Sequence, residues 1–300
     1  SLLVMKDGAI VHEEYYLGTT ADDRRISWSV AKSYLSVLLG ILLDEGAIAS
    51  IDDPVTQYAP ALKGTAYDGA SIRNVLNMAS GIVFDEDYLD ENSDIKRMGR
   101  VLALGGTLDD FTASFTETFA APGETWQYVS IDTHVIGMVI RGATGRSIAD
   151  LLSEKVIAPL GLEYAPYYVT DGAGVAFVLG GLNLTTRDFA RFGQMILQNG
   201  SYGGTQVVPA AWLAESTQPS APETRRFRSA RRKRYPAGAA PAQQPRERVP
   251  RSLWPPPRPR PARRMDASRA TASRARCVPP APCRSSPASR SRWPKNAPVQ

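Results

Sequence analysis

Ser29-Val30-Ala31-Lys32-Ser33-Tyr34-Leu35-Ser36-Val37-Leu38-Leu39-Gly40-Ile41-Leu42-Leu43-Asp44 is the stretch on which the reading of this chain turns. Placed on a helix, Val30, Ala31, Leu35, Val37, Leu38, Leu39, Ile41, Leu42 and Leu43 cover nearly the whole circumference, which predicts a buried helix from Val30 to Asp44. Gly46 follows as a C-terminal cap. Ser29 and Lys32 open this helix. Residues three apart share a face, so hydroxyl and amine point the same way. A serine hydroxyl becomes a nucleophile when a base takes its proton. A lysine serves as that base when burial and neighbours keep it neutral. The same spacing recurs at Ser93-Asp94-Ile95-Lys96, in an acidic, solvated stretch where the amine stays charged. On spacing alone, the first pair also reads as a polar first turn on a core helix.

Upstream, Leu2–Met5 and Ala9–Val11 flank Lys6-Asp7-Gly8 and predict a hairpin, the Asp-Gly step supplying the positive φ such turns need. Downstream, Asp52-Asp53-Pro54 marks a turn. Ser71 caps a short helix that ends before Ser80-Gly81, and Ser147 starts one running towards Ile157 before Pro159. Thr185 starts another that stops at Gly200, and Pro209 opens the last. Further strands are sparse: short pieces near Gly174–Leu179 and Thr205–Val208. A hairpin followed by helices predicts an α+β fold, with helices covering an antiparallel sheet and a helical subdomain beside it.

Two more segments carry chemistry-bearing residues. In Trp126-Gln127-Tyr128-Val129-Ser130, a Tyr and a Ser two apart share one side of an extended segment. Tyr128 can relay protons beside a cation such as Lys32; the alternative is a strand with one aromatic face. Gly180-Gly181-Leu182-Asn183 reads as a tight turn, against a ligand or simply in the chain.

Composition divides the chain near residue 220. From Ala221 to Gln300, 80 residues hold 19 Arg, 16 Pro, 14 Ala and 8 Ser, with a net charge of about +18. The rest holds 14 basic and 27 acidic residues, so the domain over residues 1–219 is acidic despite the chain's overall +5. The tail cannot bury enough apolar surface to offset ordering, and disorder is expected there. Its charge binds phosphates only without specificity, so no specific nucleic-acid partner is expected. Both cysteines, Cys277 and Cys283, lie in the tail, and the only histidines are His12 and His134. Neither a thiolate nor a multi-His metal site fits. Asp85–Asp94 lacks the central Gly of a calcium loop and reads as a solvated surface. The longest apolar run, Leu35–Leu43, is too short to span a bilayer. Compartment, periplasmic, secreted or cytoplasmic, and oligomeric state are open at this point.

Taken in order, Ser29–Ser33, Met78-Ala79-Ser80-Gly81-Ile82, Pro122–Ser130, Ala143–Ser147, Pro159-Leu160-Gly161-Leu162, Gly180–Asp188 and Val208-Pro209-Ala210-Ala211-Trp212 resemble the β-lactamase-related serine hydrolases. That group includes class C β-lactamases, D-amino-acid peptidases and other penicillin-binding-protein-like enzymes, esterases and 6-aminohexanoate-dimer hydrolases. Phe84-Asp85-Glu86-Asp87-Tyr88 with Asn92-Ser93-Asp94 looks closest to the last of these. The resemblance runs from residue 2 to about 219.

It implies a β-lactamase/DD-peptidase-like fold and hydrolysis of a small-molecule ester or amide through an acyl-enzyme. Ser29 is then the nucleophile, Lys32 and Tyr128 share the proton work, and the Ser29 N–H is one oxyanion donor. Trp126, Ser130, Gly180 and Gly181 line the substrate. Ser130 stands where class C β-lactamases have Asn, which turns the reading away from β-lactams. No metal or organic cofactor is implied. A non-catalytic penicillin-recognition module for binding or sensing is the alternative.

Relatives of this kind continue with three strands, one carrying a third motif and the second oxyanion donor. Nothing from Gln218 to Gln300 fits, so the domain is expected to be truncated at both ends. The tail's bias is that of a GC-rich gene out of register, and a shifted frame or an assembly error is expected there. On this reading the chain as written is an inactive, poorly folded product.

Overall fold

The computed structural model describes residues 1–220, and the expectations for the tail, its disorder, its shifted frame and its two cysteines, lie outside the described residues. β1 (Leu2–Lys6) and β2 (Ala9–Glu14) form the expected antiparallel hairpin. Asp7 and Gly8 turn it with φ of 52° and 79°, the pair of positive angles that matches the twist of the strands. A short strand, β3 (Arg25–Ile26), leads into α1 (Val30–Asp44), whose bounds are those read from the apolar pattern.

α2 (Val55–Tyr58) and a 3-10 turn (Pro60–Leu62) precede α3 (Ile72–Leu76). Ser71 caps α3, and Asn74 returns the bond to the Ser71 amide. α4 (Asp94–Ala103), α5 (Leu108–Ala113) and α6 (Asp132–Thr144) follow. α7 (Ile148–Leu152) does not stop before Pro159. It widens into a π turn (Ser153–Ile157) and continues as α8 (Ala158–Leu160), ending at Gly161 with φ of 56°. The wider turn tolerates the amide that proline lacks, which a reading of proline as a stop does not anticipate.

β4 (Tyr167–Tyr168) and β5 (Leu182–Leu184) then appear, before α9 (Thr186–Leu197), β6 (Ser201–Tyr202), β7 (Thr205–Gln206) and α10 (Ala210–Ser216). The fold is α+β, but its strands make three small antiparallel sheets: β1–β2, β3–β5–β4 and β6–β7. Gly174–Leu179 forms no strand and contributes one isolated bridge, Thr170 to Ala176; β5, just beyond it, is the paired segment. β5 is buried along its length and too short to show a period-2 pattern.

The core gathers around α1. Ala31, Tyr34, Leu35, Leu38 and Leu39 are all almost fully buried, as are Val135, Ile136, Val139 and Ile140 of α6. Tyr34 stacks on Phe192 of α9, ring centres 3.7 Å apart. Gly40 lets the Trp212 indole of α10 lie directly on the α1 backbone, since a Cβ there would sit 2.3 Å from the ring. The β1–β2 ribbon stands apart from this core: Leu2, Val4, Ile10 and Val11 are exposed. It is tied to α9 by Arg187, which donates to both Glu13 carboxylate oxygens at 2.8 Å. Among the described residues no helix is long and apolar enough to cross a membrane.

Candidate active site

The start of α1 is where the local structure departs from habit. Ser29 occupies the N-cap position, where a serine ordinarily turns its hydroxyl onto the helix's own amides. Its side chain makes no capping bond. The hydroxyl instead lies 2.8 Å from the Tyr128 hydroxyl and 3.1 Å from Lys32 Nζ. The contrast with the second Ser-x-x-Lys is direct: Ser93 caps α4, accepting from the Lys96 amide, and the Lys96 ammonium reaches Glu91 at 3.0 Å. Identical spacing thus serves as a helix cap in one place and sets an exposed hydroxyl between a phenol and an amine in the other.

Backbone geometry aims the hydroxyl. Trp28, just before it, is held at φ of 45°, a left-handed conformation that costs a non-glycine residue free energy. The amides of Val30, Ala31 and Lys32 bond to the carbonyls of Ser27, Trp28 and Ser29, so the first turn closes without the side chain. Ser27 N donates to Leu182 O at 2.7 Å, which fixes the approach to α1 against β5.

Lys32 is half-buried, and burial pulls its amine below the ordinary lysine range; Tyr128 and then Glu86 oppose that pull. Its ammonium nitrogen donates to the Leu179 carbonyl at 2.8 Å. It also sits 5.6 Å from the centre of the Tyr128 ring. A cavity of about 180 Å³ borders Lys32, walled by Leu35, Val75, Ile136 and Trp212.

Tyr128 comes from an irregular segment, not a strand, and that segment is clamped onto residues 78–86. Gly123 N donates to Ala79 O at 2.7 Å, Gln127 N to Met78 O at 2.9 Å, and Gln127 Nε2 to Phe84 O at 3.0 Å. Gly81, at φ of 78°, admits the Ala120 carbonyl where a Cβ would stand 2.2 Å from it.

Of the seven residues singled out from sequence, Ser29, Lys32 and Tyr128 meet. Gly180 and Gly181 lie beside them: Ser27 Oγ reaches Gly180 O at 3.4 Å, and a Gly180 Cβ would touch Trp28 at 3.5 Å. Trp126 lies on the exposed surface of the segment that carries Tyr128. Ser130 is buried, and its hydroxyl and amide are both taken by the Glu86 carboxylate. Glu86 and the Leu179 carbonyl are the two groups the sequence did not mark. A backbone carbonyl leaves no sequence signal, and Glu86 sits in an acidic run that composition reads as solvated. The third motif and its oxyanion donor were sought after Gln218, and residues 221–300 lie outside the described ones.

Against known proteins, the beta-lactamase family model matches residues 1–254. The 6-aminohexanoate-dimer hydrolase of Paenarthrobacter ureafaciens is 34% identical over 218 residues, 71% of this chain and 55% of that protein. Esterase EstB of Burkholderia gladioli is 32% identical over 148 residues, 45% of this chain and 36% of that protein. A solved structure from Bacillus anthracis, described as a 6-aminohexanoate-dimer hydrolase, superposes with a TM-score of 0.64 at 26% identity, covering 71% of this chain and 57% of that one. The chain therefore spans a little over half the length of the first of these relatives.

Proposed function

The chain belongs to the beta-lactamase family, and from that premise we propose that it is a serine hydrolase acting on ester or linear amide bonds through an acyl-enzyme. The observation that carries this is the Ser29 hydroxyl held 2.8 Å from Tyr128 Oη and 3.1 Å from Lys32 Nζ. Both distances suit proton transfer.

In the acylation step Ser29 Oγ attacks the substrate carbonyl carbon while its proton passes to Lys32. The carbonyl oxygen becomes an oxyanion, and the Ser29 amide at the start of α1 faces it. As the tetrahedral species collapses, the bond to the leaving alcohol or amine breaks. Tyr128 delivers a proton to that group and is replenished from Lys32. A water then attacks the acyl-enzyme carbonyl carbon, giving up a proton to the same pair; the bond to Ser29 Oγ breaks, the proton returns to Ser29, and the carboxylic acid leaves. Burial of Lys32 favours this step by raising the fraction of neutral amine at a given pH. Hydrolysis by the named relatives supports the reaction class and leaves the substrate a proposal, since each is longer than this chain.

The test is direct. On the hydrolase reading, and against the inactive, poorly folded product that the tail's composition implies, purified chain is expected to turn over a chromogenic short-chain ester and to take up a fluorophosphonate label at Ser29. Ser29→Ala should lose both, by at least about 10³-fold in turnover. Label on the wild-type serine without turnover would favour the binding module instead. No label and no turnover in a folded chain would overturn the hydrolase reading.

A further inference from the structure

The acidic stretch after Phe84 is not uniformly solvated. Glu86 is half-buried while Asp85, Asp87 and Asp90 are exposed. Its Oε2 accepts from the Ser130 amide at 3.0 Å. Its Oε1 accepts from the Ser130 hydroxyl at 2.5 Å and from the Tyr88 hydroxyl at 2.8 Å. One carboxylate thus accepts three hydrogen bonds, two of them from a residue two positions beyond Tyr128. Charge-assisted bonds of this kind are about twice as strong as neutral ones.

We propose that Glu86 is a positioning residue for the Ser29–Lys32–Tyr128 group: through Ser130 it fixes the segment that carries Tyr128, and its negative charge faces Lys32. The inference rests on the hydrolase reading for its catalytic consequence, though not for its geometry.

Burial lowers the Lys32 amine, and Glu86 is one of the charges that pull it back up. The same carboxylate disfavours ionisation of Asp132 at the start of α6, and it adds to the burial that pushes Tyr88 up to about 12. Glu86 thus acts electrostatically on Lys32 from α1, Asp132 from α6 and Tyr88 from its own loop. Lys32 is the single cation of the set. Glu86 holds it between two requirements: neutral enough to accept a proton from Ser29, and basic enough to keep it.

Glu86→Gln removes the negative charge and keeps the length; its one acceptor oxygen can still serve the Ser130 and Tyr88 hydroxyls, while its NH2 replaces the oxygen that accepts from the Ser130 amide, so Ser130→Ala is the control for lost hydrogen bonding. The Lys32 side chain can be followed by ¹³C-lysine NMR, and the rate of fluorophosphonate labelling of Ser29 by its pH dependence. In Glu86→Gln the Lys32 midpoint is expected to fall. The acid limb of the labelling rate should move down with it, and the maximal rate should drop roughly 10-fold. Ser130→Ala keeps the amide bond and the charge, so it should slow labelling a few-fold with the limb unmoved.

An unshifted Lys32 midpoint in folded Glu86→Gln overturns the proposal, as does a limb that moves equally in Ser130→Ala. If the wild-type serine does not label, the hydrolase reading fails, while the lysine titration still decides whether Glu86 governs Lys32.

Discussion

Ser29 and Ser93 show how one residue type at one spacing takes two different structural settings. Both begin helices and both precede a lysine by three. Ser93 spends its hydroxyl on the helix; Ser29 has its first turn closed by backbone bonds and presents its hydroxyl to two side chains. What tells them apart in the sequence is the character of the helix that follows, apolar on all sides in one case and amphipathic in the other. If Lys32 is the base, arginine cannot replace it, because a guanidinium does not give up its proton. Lys32→Arg is expected to lower kcat for a chromogenic ester by about 10³-fold or more with folding unchanged by circular dichroism. In the wild type, activity should rise with pH as Lys32 loses its proton, and the midpoint should lie below the ordinary lysine value of 10.5, the direction burial dictates. A limb at or above 10.5 would contradict the assignment.

Elements were legible to different degrees. α1 was readable to the residue because nine buried positions among fifteen leave an unambiguous pattern, although Val30 at its start is exposed. α3 and α9 declared themselves through their caps, Ser71 and Thr185. β3, β4 and β5 were not legible: two or three residues carry no period, and the pairing of β3 with β5 across more than 150 positions has no local signature. Tyr128 was recognisable by its company in sequence, but its clamp onto residues 78–86 was not, because backbone carbonyls do the holding. The contact of α1 with α10 offers a test at this level. Alanine is a better helix former than glycine by about 1 kcal/mol, so Gly40→Ala should stabilise α1 considered alone. A Cβ at that position would meet the Trp212 ring at 2.3 Å, and overpacking of this sort costs about 1–3 kcal/mol. The second effect should win, lowering the midpoint of chemical denaturation. Gly40→Ala combined with Trp212→Leu should recover part of the loss.

For the whole molecule, the internal charge balance predicts a pH dependence of stability. Asp132 is almost completely buried at the start of α6, and burial raises its carboxyl to about 7, against the bond donated by Tyr67 at 2.8 Å. Below about pH 4 the group is protonated in both folded and unfolded chains. Between about 4 and 7 the unfolded chain ionises while the folded one does not, so unfolding releases a proton and stability declines as pH rises. Above 7 the contribution is level. Asp132→Asn keeps an acceptor for Tyr67 and removes the titration. It should flatten the urea midpoint across that window and exceed the wild type at pH 8 by on the order of a few kcal/mol. A wild-type midpoint that climbs from pH 4 to 7, with the variant no different, would refute this account.

The β1–β2 ribbon has a consequence for how the molecule behaves in company. Among the described residues its apolar Leu2, Val4, Ile10 and Val11 are exposed, and the Arg187–Glu13 clamp ties it to α9. A strand with an open margin invites a neighbour to zip alongside, and clumping then grows with concentration. The irregular step in pairing between Val4 and Met5 works against that outcome, because a kinked margin is a poor template for a straight one.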